Sequence, residues 1–261
     1  MSKNAEKSAI PISVHFVAAG KYHDIDFARL EILKLLAEWP IARATVAVDY
    51  ADVERLGACD VLITYTCDLV ADAAQTRALR AFLERGGRWF ALHGTNSILR
   101  TLDDGRVATP PEHPEFMSLL GTQFKAHPPI GPYKVEVTEA DHPLTKGLRP
   151  FKVVDELYLS APTAPIRTLL HTRFEGECPG FVDEHWEAAE APVLYLREHG
   201  RGAVLYLTLG HCRGHYDLYP QAAYYPHPER CAWNYPVFYE LLRRGLSWAL
   251  AGRDDAAEPG A

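Results

Sequence analysis

The 261-residue chain is 48% apolar and carries a formal net charge of -7, enough apolar content for a substantial core without a disulfide staple. With no run of Lys or Arg, that charge argues against a nucleic-acid backbone or an anionic membrane as partner. No segment approaches the roughly 20 apolar residues of a membrane span. Met1–Ala9 is polar and lacks the apolar centre of a secretory signal. Five cysteines, odd in number and scattered, do not read as a disulfide framework, so a reducing, cytoplasmic compartment is expected.

Residues 1–9 read as a disordered tail. Ile12 to Ala18 predicts a first strand, and Gly20-Lys21-Tyr22-His23-Asp24 the loop at its carboxyl end. Phe27, Leu30, Leu33 and Leu36, with Ile32 and Leu35 alongside, predict a helix with a broad apolar face, stopped near Pro40. Ala44 to Val48 and Asp60 to Tyr65 read as strands. Asp72 to Arg85 reads as a helix with Leu79, Phe82 and Leu83 on one side. Gly86-Gly87 suits the left-handed conformation that closes a helix. Trp89-Phe90-Ala91-Leu92 is a continuous apolar run, as in a strand covered on both faces. His93-Gly94-Thr95-Asn96 follows where an open α/β sheet places its ligand crevice. Strands alternating with helices over the first hundred residues predict a parallel sheet with crossover helices.

The middle is less regular. Pro110, Pro111 and Pro114 precede a short helix around Glu115 to Leu120. Gly121 to Pro129 reads as a loop, Tyr133 to Thr138 as a strand with one wet face, and Asp141-His142-Pro143-Leu144 as a structural turn. Asp155-Glu156-Leu157-Tyr158 falls in no clear element. Ile166 to Thr172 reads as a strand, and Val193 to Arg197 with Ala203 to Leu209 as a hairpin. Leu209-Gly210-His211 ends its strand much as Leu92-His93 does. A loop rich in aromatics and histidines runs from Cys212 to Trp233. Its Tyr216, Tyr219, Tyr224, Tyr225 and Trp233 either wall a sugar ring or pack the loop onto the domain or a second subunit. His215 ranks low as a ligand, because Gly214 disfavours the helix that would pair it with His211. The last helix has Pro236 in its first turn and Val237, Leu241, Gly245 and Trp248 on its apolar face. No linker forces a boundary, so one domain is expected over 10–252, between disordered tails at 1–9 and 253–261.

Several of these stretches together resemble one family. Gly86-Gly87-Arg88-Trp89-Phe90-Ala91-Leu92-His93 resembles the glycine-glycine, strand, histidine signature of the ThuA-like (trehalose-utilisation) proteins. Phe124-Lys125-Ala126-His127-Pro128 resembles their Phe-x-x-His-Pro motif. Asp141-His142-Pro143, Asp155-Glu156-Leu157-Tyr158 and the run from Gly200-Arg201-Gly202 to Leu209-Gly210-His211 look like later markers. The resemblance covers roughly residues 12–250. It implies an α/β fold related to class I glutamine amidotransferases and flavodoxin. That is a three-layer sandwich with a mainly parallel central sheet, here with a β-hairpin extension. In those enzymes a nucleophilic cysteine sits on the turn after a central strand, and here that position looks like His93. The amidotransferase histidine falls near His211. Without a cysteine at the turn, thioester chemistry is not available: Cys212 is off the turn and Cys67 merely ends a strand. Glutamine hydrolysis is therefore rejected.

The family link implies a carbohydrate, a keto sugar or disaccharide derivative, as the small-molecule partner. His93, His211 and Glu156 are the catalytic candidates. His23, Asp24, Asn96, His127, Asp155 and Tyr158 are the candidates for substrate binding. Imidazoles with a carboxylate also suit a divalent metal such as zinc or manganese, held by His93, His211, Glu156 and His23, which would polarise a sugar carbonyl. Without a metal, Glu156 or a histidine removes the acidified proton beside the carbonyl. Two other readings stand beside an enzyme: a non-catalytic sugar-binding or regulatory module, and a partner-binding subunit or homo-oligomer built on the tyrosine-rich loop.

Overall fold

A computed structural model describes residues 10–214 and 227–251. Both tails, His215 and Tyr216, Tyr219, Tyr224 and Tyr225 of the aromatic loop lie outside the described residues. The first hundred residues run β1 (Ile12–Gly20), α1 (Ile25–Leu36), β2 (Ala42–Ala47), α2 (Val53–Ala58), β3 (Val61–Cys67), α3 (Ala73–Glu84) and β4 (Arg88–Leu92). Next come β5 (Arg100–Thr101), β6 (Val107–Ala108), α4 (Pro114–Leu120), β7 (Thr122–Ala126), β8 (Gly131–Val137), β9 (Phe151–Asp155) and β10 (Leu159–Pro162). The chain continues through β11 (Arg167–Glu177), β12 (His185–His199), β13 (Gly202–Leu207) and α5 (Pro236–Leu250).

The central sheet has the order β2-β1-β3-β4-β13-β12-β11-β8-β9 among the described residues. The pairs from β2 to β13 are parallel, and those from β13 to β9 antiparallel. The sheet is thus mixed. Strand alternation sorts its side chains onto two faces. Phe16, Ile63, Phe90 and Leu205 pack with α1 and α5, whereas Val17, Leu62, Trp89 and Val204 pack with α2, α3 and α4. Burial on both faces is why β3 and β4 read as unbroken apolar runs. Helix starts are set locally. Asp72 and Gln75 form a reciprocal capping box on α3, and Asp24 caps α1 by accepting from the Phe27 amide at 3.1 Å.

Two elements depart from expectation. Helix α2 is a single turn and a half that buries only Leu56, too short to show a period. The stretch expected as a loop after Gly121 contains β7, paired antiparallel with β10. Gln123 and Lys125 give β7 a polar look, but their amino groups donate to the Pro110 and Thr109 carbonyls at 2.9 and 3.2 Å. Phe124 and Ala126 enter a third apolar cluster with Tyr158 and Phe181. No helix among the described residues is long and apolar enough to cross a membrane.

Candidate active site

Parallel strands bring their carboxyl ends to one edge of a sheet, and the loops there face a shared crevice. His23 lies in the loop after β1, His93 directly after β4, and His211 in the loop after β13. Since β1, β3, β4 and β13 are consecutive in the sheet, these imidazoles meet. His93 sits on a tight elbow at φ 43°, in the left-handed region that few side chains adopt. Strain of this kind gathers at functional sites. The elbow also needs Gly94, where a Cβ would come within 2.7 Å of the Thr66 carbonyl oxygen. Glu156 follows β9 and His127 follows β7.

One ring nitrogen each from His23, His93 and His211 and one Glu156 oxygen lie within 4.8 Å of one another, and all four residues are buried. His93 Nε2 is 2.9 Å from His23 Nε2 and 3.4 Å from Glu156 Oε2. Glu156 Oε2 is 3.9 Å from His23 Nε2 and 3.3 Å from His211 Nδ1. The outer nitrogens are all engaged. His93 Nδ1–H donates to the Thr208 carbonyl at 2.8 Å, and His23 Nδ1–H to the Lys21 carbonyl at 3.0 Å. His211 Nε2–H donates to Glu229 at 3.2 Å. Carbonyls only accept, so in the neutral rings the Nε2 atoms of His23 and His93 point bare lone pairs at each other. His211 Nδ1 is buried 3.3 Å from Glu156 Oε2, an ion-pair distance, and would give up its proton on binding an ion. For His23 and His93, outer partners that fix the tautomer and leave inward lone pairs are how metal-binding histidines are held. Four ligands at metal–nitrogen distances near 2.05 Å stand about 3.3 Å apart around a tetrahedral ion. The separations of 2.9, 3.3, 3.4 and 3.9 Å bracket that edge, so these residues fit a divalent ion.

The electrostatics match this crowding. Burial, with His93 and His211 alongside, holds His23 well below its ordinary pKa. Burial alone would lower His211 too, but the Glu156 carboxylate beside it raises it to about 9. Burial would raise Glu156, yet the neighbouring His127 and His211 outweigh it and hold the carboxyl well below the usual range. Asp155 is pushed up to about 6 by burial. Its carboxylate accepts from the amides of Gly210 at 2.7 Å, His211 at 3.1 Å and Glu156 at 2.9 Å.

A cavity of about 170 Å³ opens onto His23, Glu156 and His127. His127 Nε2 is 3.1 Å from Glu156 Oε1, and its side chain is 26% exposed. His93 and His211 are fully buried behind them. Tyr158 lies on the pocket wall, its ring centroid 4.4 Å from those of both His93 and Phe124. The other expected substrate contacts have framework places. Asp24 is the α1 cap and pairs with Arg230 at 2.9 Å. Asn96 is fully buried and donates to Thr122 at 2.8 Å. Asp155 is the backbone clamp just described. All three side chains are buried within hydrogen-bonded structure.

Sequence reasoning missed Glu229, Thr208 and Phe181. Thr208 acts only through its carbonyl, which no side-chain pattern reports. Glu229 is joined to Arg213 by paired backbone bonds at 3.0 and 2.9 Å, a bridge with no sequence signature. Cys67 lies on the pocket wall and Cys212 beside the cluster, but burial raises both thiols, Cys212 to about 12. Neither is an activated nucleophile.

A mixed-sheet α/β protein with three histidines and a glutamate gathered at the carboxyl ends of its parallel strands defines the class. The chain belongs to the ThuA (trehalose utilisation) family, whose model matches residues 14–222. Similar solved structures include a ThuA-like protein from Bacteroides uniformis ATCC 8492, with TM-score 0.64 and 18% identity over 95% of this chain and 96% of that one. Another is a ThuA-like protein from Parabacteroides merdae ATCC 43184, with TM-score 0.63 and 16% identity over 92% and 90%. A cold-adapted beta-galactosidase from Rahnella sp. R3 matches over 95% of this chain and 32% of its own, with TM-score 0.54 and 12% identity. At such identities the likeness is one of fold. No curated protein matches the chain by sequence.

Proposed function

We propose that this protein is a cytoplasmic enzyme of carbohydrate metabolism that acts on a keto sugar or disaccharide derivative by His/Glu acid–base chemistry, assisted by a divalent ion such as zinc or manganese. The observation that carries the reading is the set of three imidazoles whose outer nitrogens are tied and whose inner nitrogens converge on Glu156. The family's description, trehalose utilisation, supports a sugar as substrate. Five free cysteines support a reducing compartment.

His23, His93, His211 and Glu156 would hold the ion, and a bound ion supplies polarisation of a carbonyl oxygen. The remaining work falls to the pocket wall. A sugar carbonyl acidifies the hydrogen on the neighbouring carbon. Glu156 and His127, in contact with each other and open to the pocket, are the pair to take up that proton and return it. His93 and His211, sealed behind them, position rather than exchange protons with substrate.

The test is His93→Asn, chosen because asparagine tolerates the left-handed elbow and lacks the imidazole. Turnover on a panel of keto sugars should fall by roughly 10²–10⁴, with the thermal midpoint within a few degrees of the parent. Full activity in this variant sinks the assignment.

A further inference from the structure

We infer that two copies of this chain join edge to edge through β2, antiparallel and in one register, with Val46 of one copy facing Val46 of the other. The inference is independent of the sugar reading. It concerns the end of the sheet opposite β9.

The two ends of the central sheet are finished differently. At β9 the Val154 amide donates to the Tyr235 hydroxyl at 3.2 Å. At β2, among the described residues, β1 is the only strand paired, and the outer row of backbone groups has no strand beside it. An open edge invites another strand, and edges are ordinarily blunted by lysine, proline or a bulge. Ala42–Ala47 contains no Lys or Pro, and its register with β1 runs unbroken from Ile12–Ala42 to Val17–Ala47. Exposed apolar groups gather on it instead. Val46 is 44% exposed and Val48 64%, and Ala44 is exposed as well. Continued two residues past β2, strand alternation puts Ala44, Val46 and Val48 on one face and Arg43, Thr45, Ala47 and Asp49 on the other.

Sequence and symmetry together select the occupant and the register. Directly opposite residues of an antiparallel pair point to the same face. A two-fold axis between identical strands must therefore pass through a residue facing its own copy. Centred on Val46, one face sets Val46 against Val46 and Ala44 against Val48. The other face sets Arg43 against Asp49 and Thr45 against Ala47. Apolar groups meet apolar groups, and the symmetry supplies the guanidinium–carboxylate pair twice. Moving the centre to Thr45 or Ala47 puts Arg43 opposite Ala47 or Ala51 and loses both pairs. Arg43 has donors to give, because among the described residues only its Nη1 is engaged, on the Pro40 and Ala42 carbonyls at 2.6 and 2.9 Å. Asp49 accepts from the Ala51 amide through Oδ1 at 2.9 Å, which leaves Oδ2 for the guanidinium. A strand of another protein would have to carry this same pattern, whereas a second copy carries it necessarily. The homo-oligomer expected from the tyrosine-rich loop is thus assigned to β2.

Sedimentation velocity on the full-length protein tests this, with far-UV circular dichroism on every variant to show that it is folded. The parent should run as a dimer of the 29.2 kDa chain. Val46→Lys sets two ammonium groups face to face and should run as a monomer with an unchanged spectrum. Arg43→Asp and Asp49→Arg should each raise the dimer dissociation constant about tenfold, and the two together should restore it. Register is read by Val46→Cys. The five native cysteines are buried, so a short thiol cross-linker should join two chains at position 46. It should not join them in Val182→Cys, which is as exposed at 44% but lies between β11 and β12. A monomeric parent would overturn the inference and leave the edge to residues 1–9 or to a strand of another protein. A dimer that survives Val46→Lys, a charge swap that fails to restore it, or no cross-link at position 46 would overturn it as well.

Discussion

The two halves of the central sheet contribute different things to the site. The parallel half presents the imidazoles: His23, His93 and His211 all follow carboxyl ends of parallel strands. Convergence there follows from topology, because parallel neighbours share one end. The antiparallel half delivers the carboxylate, since Glu156 follows β9 at the far edge of the sheet. Nothing in antiparallel topology aims that residue at the histidines. Asp155 does so, binding the Gly210 and His211 amides with the carboxylate that also caps the Glu156 amide. Three sites come together through strand direction, and the fourth through a buried side chain. Exposure cuts across the halves: His93 and His211 are sealed, while His23, Glu156 and His127 meet the pocket.

Perturbing each half should separate these contributions. Glu156→Gln removes the charge on which the imidazoles converge, and turnover on a keto-sugar panel should drop by roughly 10²–10⁴; retention of activity would mean the antiparallel half is dispensable. A pH series on metal-free protein comes next in size. His211 is raised in the fold to about 9 from an ordinary 6.5. Its stabilising contribution, at most about 3 kcal/mol, is complete below the unfolded value and lost as pH climbs through the folded one. Melting temperatures should therefore fall between pH 6.5 and 9, and Glu156→Gln should flatten the slope. A slope untouched by that variant would place its origin elsewhere.

Asp155→Asn turns one accepting oxygen into a donor facing a backbone amide, at a cost of about 1–3 kcal/mol. Its melting temperature should drop by several degrees and its affinity for added zinc by roughly 10–100-fold, as for other residues that orient ligands. Unchanged zinc affinity would show that β9 is aimed by something other than this clamp. The smallest effect is a control inside the parallel half. Asp72→Ala removes the α3 cap at about 1 kcal/mol and should leave zinc binding alone.

The same division governs what was legible beforehand. Residues 61–65 and 89–92 are buried on both faces, and their continuous apolar runs announce parallel strands. His93 and His211 stand out because each directly follows such a run. Glu156 stood in a segment without period, and only the resemblance of Asp155-Glu156-Leu157-Tyr158 to a family marker drew attention to it. The capping role of Asp24 and the clamp of Asp155 depend on backbone amides, so their residue types alone suggested ligand contacts. Strand β7 was hidden because Gln123 and Lys125 spend their polarity on carbonyls of the preceding segment. Phe181 and Glu229 reach the site through backbone bridges to Val107 and Arg213, connections that no spacing along the chain encodes.

The central claim is that three histidines and Glu156 form one cage for an ion. Elemental analysis of protein purified without an affinity tag tests it most directly, with His93→Asn and Glu156→Gln prepared in parallel. The parent should carry about one divalent ion per chain and both variants should lose it. A parent that takes up no ion after supplementation with zinc and manganese, or variants that keep theirs, would contradict the account.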